Sequence, residues 1–128
     1  MRAVDANVLV RLIARDDPDQ TVRAEAFVSA SAWVSILALA EACWVLGTVY
    51  ELSPAKLASA VEMLLDHHHL VLQEPEVVGQ AVRLFRSKPS LGFSDCLLLH
   101  MARKAGHLPL GTFDKQLAKV EGAQKLQA

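Results

Sequence analysis

Four carboxylates stand in apolar stretches where an acid needs a reason to be. They are Asp5 in Ala-Val-Asp-Ala-Asn-Val-Leu-Val, Glu41 in Leu-Ala-Leu-Ala-Glu-Ala-Cys-Trp, Asp95 in Gly-Phe-Ser-Asp-Cys-Leu-Leu-Leu and Asp114 in Gly-Thr-Phe-Asp. An ionised carboxylate buried without a partner is strongly unfavourable, so these surroundings predict a shared, compensated pocket. A hard divalent cation is the natural compensation, because it takes oxygen ligands. The set requires no thiolate, which points to Mg²⁺ or Mn²⁺. Without a cation, four neighbouring negative charges would raise one another's pKa values.

Each acid also has a local alternative. Asp5 suits the cap of a helix starting near Ala6, Asp95 the first turn of another helix, and Asp114 a turn or cap. Glu41 has no capping role in mid-helix. Its helix is apolar nearly all round, so the acid is expected to face inward; its alternative is a buried salt bridge to Arg11 or Arg103.

The elements that must carry these residues can be read from periodicity and punctuation. Arg2–Asp5 reads as a short buried strand, Asn7–Ala14 as a helix, and Asp16-Asp17-Pro18-Asp19 as a loop whose acids favour the following helix N-terminus. Val22, Ala26, Phe27 and Val28 give that helix an apolar face. Ala32–Val34 reads as a strand, and Ser35 as the cap of a helix from about Ile36 to Val49. Ser53-Pro54 opens a helix with proline at the favoured first position. Leu70–Leu72 is a strand, Pro75–Arg86 a helix and Ser87–Gly92 a loop. Ser94, a cap candidate, opens a helix that Gly106 closes. Leu108–Thr112 reads as a strand, Asp114–Val120 as a short helix and Gly122–Leu126 as an edge strand. Alternating strands and helices predict an α/β fold with a short, mainly parallel central sheet flanked by helices. In such sheets sites form at the carboxyl ends of strands, where Asp5 and Asp114 fall.

The 128 residues predict one domain over 1–128, and 52% hydrophobic content suffices for a core without staples. A net charge of −1 excludes a globally basic nucleic-acid binder but allows a local basic rim. Cys43 and Cys96 lie in apolar helical stretches and read as buried free thiols. No apolar run reaches the ~20 residues of a membrane span, Glu41 interrupting the nearest one. No secretory signal is visible, and a cytoplasmic protein is expected.

Taken in order, Val4-Asp5-Ala6-Asn7-Val8-Leu9-Val10, the mid-helix Glu41, Phe93-Ser94-Asp95-Cys96 and Thr112-Phe113-Asp114 resemble the motifs of PIN-domain ribonucleases, above all the VapC-type toxins of toxin–antitoxin pairs. The resemblance covers essentially the whole chain. Ala6 stands where threonine is common and Cys96 where alanine is common; neither removes a ligand. The resemblance implies a PIN-like fold and endonucleolytic RNA cleavage dependent on Mg²⁺ or Mn²⁺. Asp5, Glu41, Asp95 and Asp114 would be the catalytic and metal-binding quartet, with Asn7, Thr112 and Ser94 in support. The cation would polarise the scissile phosphate and activate water, and in-line attack would leave a 5′-phosphate and a 3′-hydroxyl. A VapB-type antitoxin and a homodimer are the implied partners. A PIN nuclease of RNA processing or decay, with no toxin role, is the alternative.

RNA also needs positive charge, and Arg83, Arg86, Lys88 and Lys115 are the candidates for backbone contacts. Trp33 and Trp44 read as core or interface aromatics. His67-His68-His69 reads as a helix end rather than a metal site, since consecutive side chains diverge. A haloacid-dehalogenase-like phosphotransferase needs a second acid two places after the first, and Asn7 occupies that place. A receiver domain needs an aspartate after the middle strand, where Gln73 stands.

Overall fold

The computed structural model describes residues 1–127. The chain divides into two compact units, Met1–Pro75 and Glu76–Ala128.

In the first unit, β1 (Arg2–Ala3), β2 (Ala32–Val34) and β3 (Leu70–Leu72) form a parallel sheet in the order β1-β2-β3. Ala3 pairs with Trp33, and Trp33 with Val71. Strand β1 is shorter than the Arg2–Asp5 strand predicted, and its residues are exposed rather than buried. The Val4 N–H still donates to the Trp33 carbonyl (3.2 Å), but Asp5 has already turned away to cap a helix. Alternation along β2 and β3 buries Ala32, Val34, Leu70 and Leu72 on one face. The other face leaves Trp33 and Val71 partly exposed.

Four helices accompany this sheet: α1 (Ala6–Ala14), α2 (Pro18–Val28), α3 (Ile36–Thr48) and α4 (Pro54–Asp66). Their starts are chemically marked. Asp17 accepts from the Gln20 N–H (3.1 Å), with Pro18 at the first helical position, so α2 begins inside the acidic segment expected to be loop. Ser35 accepts from Ala38 N–H (3.0 Å) and Ser53 from Lys56 N–H (3.3 Å), as predicted. On α2 the buried residues are Thr21, Ala24 and Val28, whereas Val22 faces solvent. Helix α1 packs against α2 and α3, and α4 against β3. Arg11 ties this unit together: its guanidinium donates to Asp16 (3.1 Å), to the Tyr50 hydroxyl (3.0 Å) and to Gln20, while that hydroxyl donates to Asp16 (2.9 Å).

The second unit contains α5, which starts at Pro75 and runs to Ser87, then α6 (Phe93–Ala105), β4 (Leu110–Thr112), a 3₁₀ turn (Leu117–Lys119) and β5 (Ala123–Lys125). Strands β4 and β5 pair in parallel, Leu110 against Ala123. Phe85 and Phe93 meet edge to face at 5.7 Å, the geometry their ring quadrupoles favour. Helix α6 starts one residue earlier than predicted. Gly92, not Ser94, occupies its cap, and Ser94 is exposed in the first turn. Gly106 ends α6 in the left-handed region (φ 82°), where a side chain would be strained.

Among the described residues no helix is long and apolar enough to cross a membrane. Both cysteines are buried free thiols, and burial pushes Cys43 up to about 12 and Cys96 to about 11.

Candidate active site

Asp95 and Asp114 both lie in the second unit, near enough for the charge of Asp114 to act on the Asp95 carboxyl. Asp95 lies in the first turn of α6, where unpaired backbone N–H groups and the helix dipole favour an anion. Its carboxyl group is partly buried and makes no hydrogen bond among the described residues. It is nonetheless held above the usual carboxylate range, first by burial and second by the negative charge of Asp114. A Cβ on Gly92 would lie 3.5 Å from Asp95 Oδ2, in ordinary van der Waals contact.

Asp114 follows β4 and is exposed. Its Oδ1 accepts from the Gln116 and Leu117 N–H groups, each at 2.8 Å. Thr112 sets this turn: its hydroxyl oxygen accepts from the Asp114 N–H at 3.0 Å. Thr112 therefore acts on Asp114. Asp114 Oδ2 has no partner among the described residues. The turn thus commits one oxygen to structure and leaves the other uncommitted.

Asp5 and Glu41 belong to the first unit. Asp5 caps α1, accepting from the Val8 N–H (3.2 Å) through Oδ1, and is exposed. Asn7, also exposed, makes no hydrogen bond to it. Glu41 corrects an expectation. It faces solvent and makes neither salt bridge considered for it. Arg11 is engaged by Asp16, Gln20 and Tyr50, and Arg103 donates to the Glu121 carbonyl. The physical reason lies in α3, whose buried arc is Ala38, Leu39, Ala42, Cys43 and Leu46. The small residues of that arc admit close packing. The opposite arc, Leu37, Glu41 and Trp44 at helical spacing, is left in solvent, with Leu37 68% and Trp44 67% exposed. Trp44 and the partly exposed Trp33 are therefore not core residues. Of the four acids only Asp95 is even partly buried; the apolar neighbours in sequence point elsewhere.

Among the described residues no group of three or more aspartate, glutamate, histidine or cysteine side chains is placed to hold a metal ion. The residues present still fit a hard cation in a smaller donor set. Asp95 and Asp114 offer all-oxygen donors with uncommitted oxygens, and the Asp95 carboxyl is raised first by burial and second by the charge of Asp114. Mg²⁺ typically binds one or two carboxylates, retaining waters and taking substrate phosphates as further ligands.

The basic candidates Arg83, Arg86, Lys88 and Lys115 are all exposed on the second unit. Lys115 directly follows Asp114. Arg83 lines a cavity with His100 and Arg103, a grouping that sequence reading missed because it joins two helices 17 or more positions apart. The i and i+3 spacing of His100 and Arg103 on one helix face was its only visible signal.

Comparison with known proteins gives one family. The PIN domain family matches residues 2–123, a span that includes both units and all four acids. No match was found among curated proteins or solved structures.

Proposed function

Because the chain belongs to the PIN-domain family, whose members are typically nucleases using divalent metal ions, we propose that it is a Mg²⁺- or Mn²⁺-dependent endoribonuclease and the toxin of a toxin–antitoxin pair. The observation that carries the nuclease reading is the Asp95–Asp114 pair: a partly buried, unpaired carboxyl beside a second carboxylate, both with free oxygens. The order of the four acidic motifs along the chain supports including Asp5 and Glu41 in the metal-binding set.

When bound, the cation supplies Lewis-acid polarisation of the scissile phosphate and activation of water. The chain's own residues supply the rest. Asp95 and Asp114 provide the negative charge that recruits the ion, the Thr112 hydroxyl holds the Asp114 turn, and Ser94 adds a hydroxyl to the exposed first turn of α6. Lys115 and the α5 cations supply positive charge for an RNA backbone. The toxin role, a VapB-type antitoxin and a homodimer follow from the motif resemblance; the exposed Leu37, Trp44 and Val49 of the α3 region are consistent with a protein partner.

Purified protein with Mg²⁺ or Mn²⁺ is expected to cut RNA, with Asp95→Asn inactive. Sequencing 5′ ends after induced expression would identify the cleaved RNA. Equal cleavage in EDTA would sink the metal mechanism. Cleavage without growth arrest, in a gene lacking an antitoxin neighbour, would instead assign the chain to RNA processing or decay.

A further inference from the structure

A concave site lies on the same unit as Asp95, between α5 and α6, with a volume of about 410 Å³. That is within the ~300–1,000 Å³ usual for small-molecule sites. Two guanidinium groups line it, Arg83 from α5 and Arg103 from α6. Neither is paired with a carboxylate among the described residues. Arg103 is pre-positioned: its Nη2 donates to the Glu121 carbonyl at 2.7 Å. Gly122, at φ 97°, makes room for it, since a Cβ there would lie 2.7 Å from Nη2. Arginine held by one donor keeps others for a ligand and presents them in the planar fork that matches phosphate oxygens.

The remaining walls narrow the ligand class. Leu84, Leu99 and Val120 give an apolar surface beside the cations, which suits a flat ring rather than a bare anion. Glu121 is the single carboxylate of the lining; it disfavours an isolated phosphate but can accept from a sugar hydroxyl. His100 also lines the site. Burial, then the charges of Arg103 and Arg83, lowers its pKa. Its Nδ1 is closed off from solvent and has no hydrogen-bond partner among the described residues.

We propose that this cavity is a nucleotide-binding subsite in which Arg83 and Arg103 hold a phosphate while the base lies against Leu84, Leu99 and Val120. None of its residues is among the four acids, although Arg83 is also one of the α5 cations assigned above to the RNA backbone. The nucleotide comes either free or as one unit of an RNA strand.

Amide-resolved NMR titration and calorimetry in EDTA test it, since neither requires catalytic metal or activity. The probes are 5′-AMP, 5′-UMP, inorganic phosphate and a 2′-O-methyl RNA hexamer that resists cleavage. A mononucleotide is expected to shift Arg83, His100, Arg103 and Glu121 and to bind more tightly than inorganic phosphate. Arg83→Ala, which breaks no side-chain hydrogen bond among the described residues, should weaken binding roughly 10-fold or more, the usual scale for one charge-assisted contact. Gly122→Ala should weaken it through displacement of Arg103. Shifts by both mononucleotide and hexamer, or by the hexamer alone, support the proposal and identify the strand as a source; shifts by mononucleotide alone support the free ligand. No shift at these residues with any probe, phosphate binding as tight as AMP, or unchanged affinity in Arg83→Ala would overturn it. RNA cleavage persisting alongside such a result would leave the nuclease reading intact, and bound nucleotide without cleavage would do the reverse.

Discussion

Asp114 offers the sharpest separation of structural from chemical roles, because its two oxygens are differently employed. Oδ1 accepts from the Gln116 and Leu117 N–H groups at 2.8 Å each, and Oδ2 is uncommitted. Asp114→Asn retains an oxygen able to accept both bonds, and asparagine is about as good a cap as aspartate. Its stability should stay within ~0.5 kcal/mol of the parent. Asp114→Ala removes the acceptor altogether. The Leu117 N–H is partly buried and the other group is exposed, so water replaces part of what is lost. The cost should be about 1 kcal/mol, or roughly 4 °C in Tm for a chain of this size. Activity should fall equally in both variants. Both remove the charge beside Asp95, and losing a direct metal ligand should cost no less than the ~100-fold upper range for outer-shell partners. The Asp95 carboxyl, relieved of its neighbour's charge, should also titrate at lower pH in both. Differential scanning calorimetry, a fluorogenic RNA assay and carboxyl ¹³C titration read the three effects. An active Asp114→Asn would refute the chemical role of the charge. Equal Tm losses in the two variants would refute the capping role.

Three further outcomes are expected. Asp95→Asn should be inactive in the RNA assay yet raise the Tm near neutral pH. The raised folded-state pKa means that the folded chain holds a proton more tightly than the unfolded one, so ionised Asp95 opposes folding at high pH, by an amount that shrinks once pH falls below its folded-state pKa and vanishes below its unfolded-state pKa. A calorimetric series should accordingly show the gain vanishing toward acid pH; a gain that persists there would contradict the assignment. Cys43 and Cys96 should be inert to a thiol-disulfide reagent at pH 8 in the folded protein and both react in denaturant, given thiols pushed to about 12 and about 11; rapid native labelling would show that the helices open. Leu46→Ala, at a 1% exposed position of α3, should cost ~2–5 kcal/mol by chemical denaturation, whereas Leu37→Ala on the exposed arc of the same helix should cost under ~0.5 kcal/mol; similar losses would place the buried arc elsewhere.

The chain alone determined what depends on neighbours in sequence. Helix starts at Ser35 and Ser53, the glycine stop at Gly106 and the strands at Ala32–Val34 and Leu70–Leu72 were legible, because caps, left-handed stops and short apolar runs act over a few residues. So were four acidic motifs in a family's order, since motif order is a property of the string. Tertiary structure decided orientation. Glu41 looked inward because every neighbour was apolar, but a helix apolar all round carries no record of which arc meets the core; packing chose the arc through Ala38 and Ala42 and left Glu41 with Leu37 and Trp44 in solvent. It also decided which charges meet. Asp95 beside Asp114, Arg11 between Asp16 and Tyr50, and Arg83 with His100 and Arg103 are all joined across elements, and such pairings have no fixed spacing to read. The acids announced themselves by type and order, and only the fold showed that Asp95 alone among them gives up part of its water.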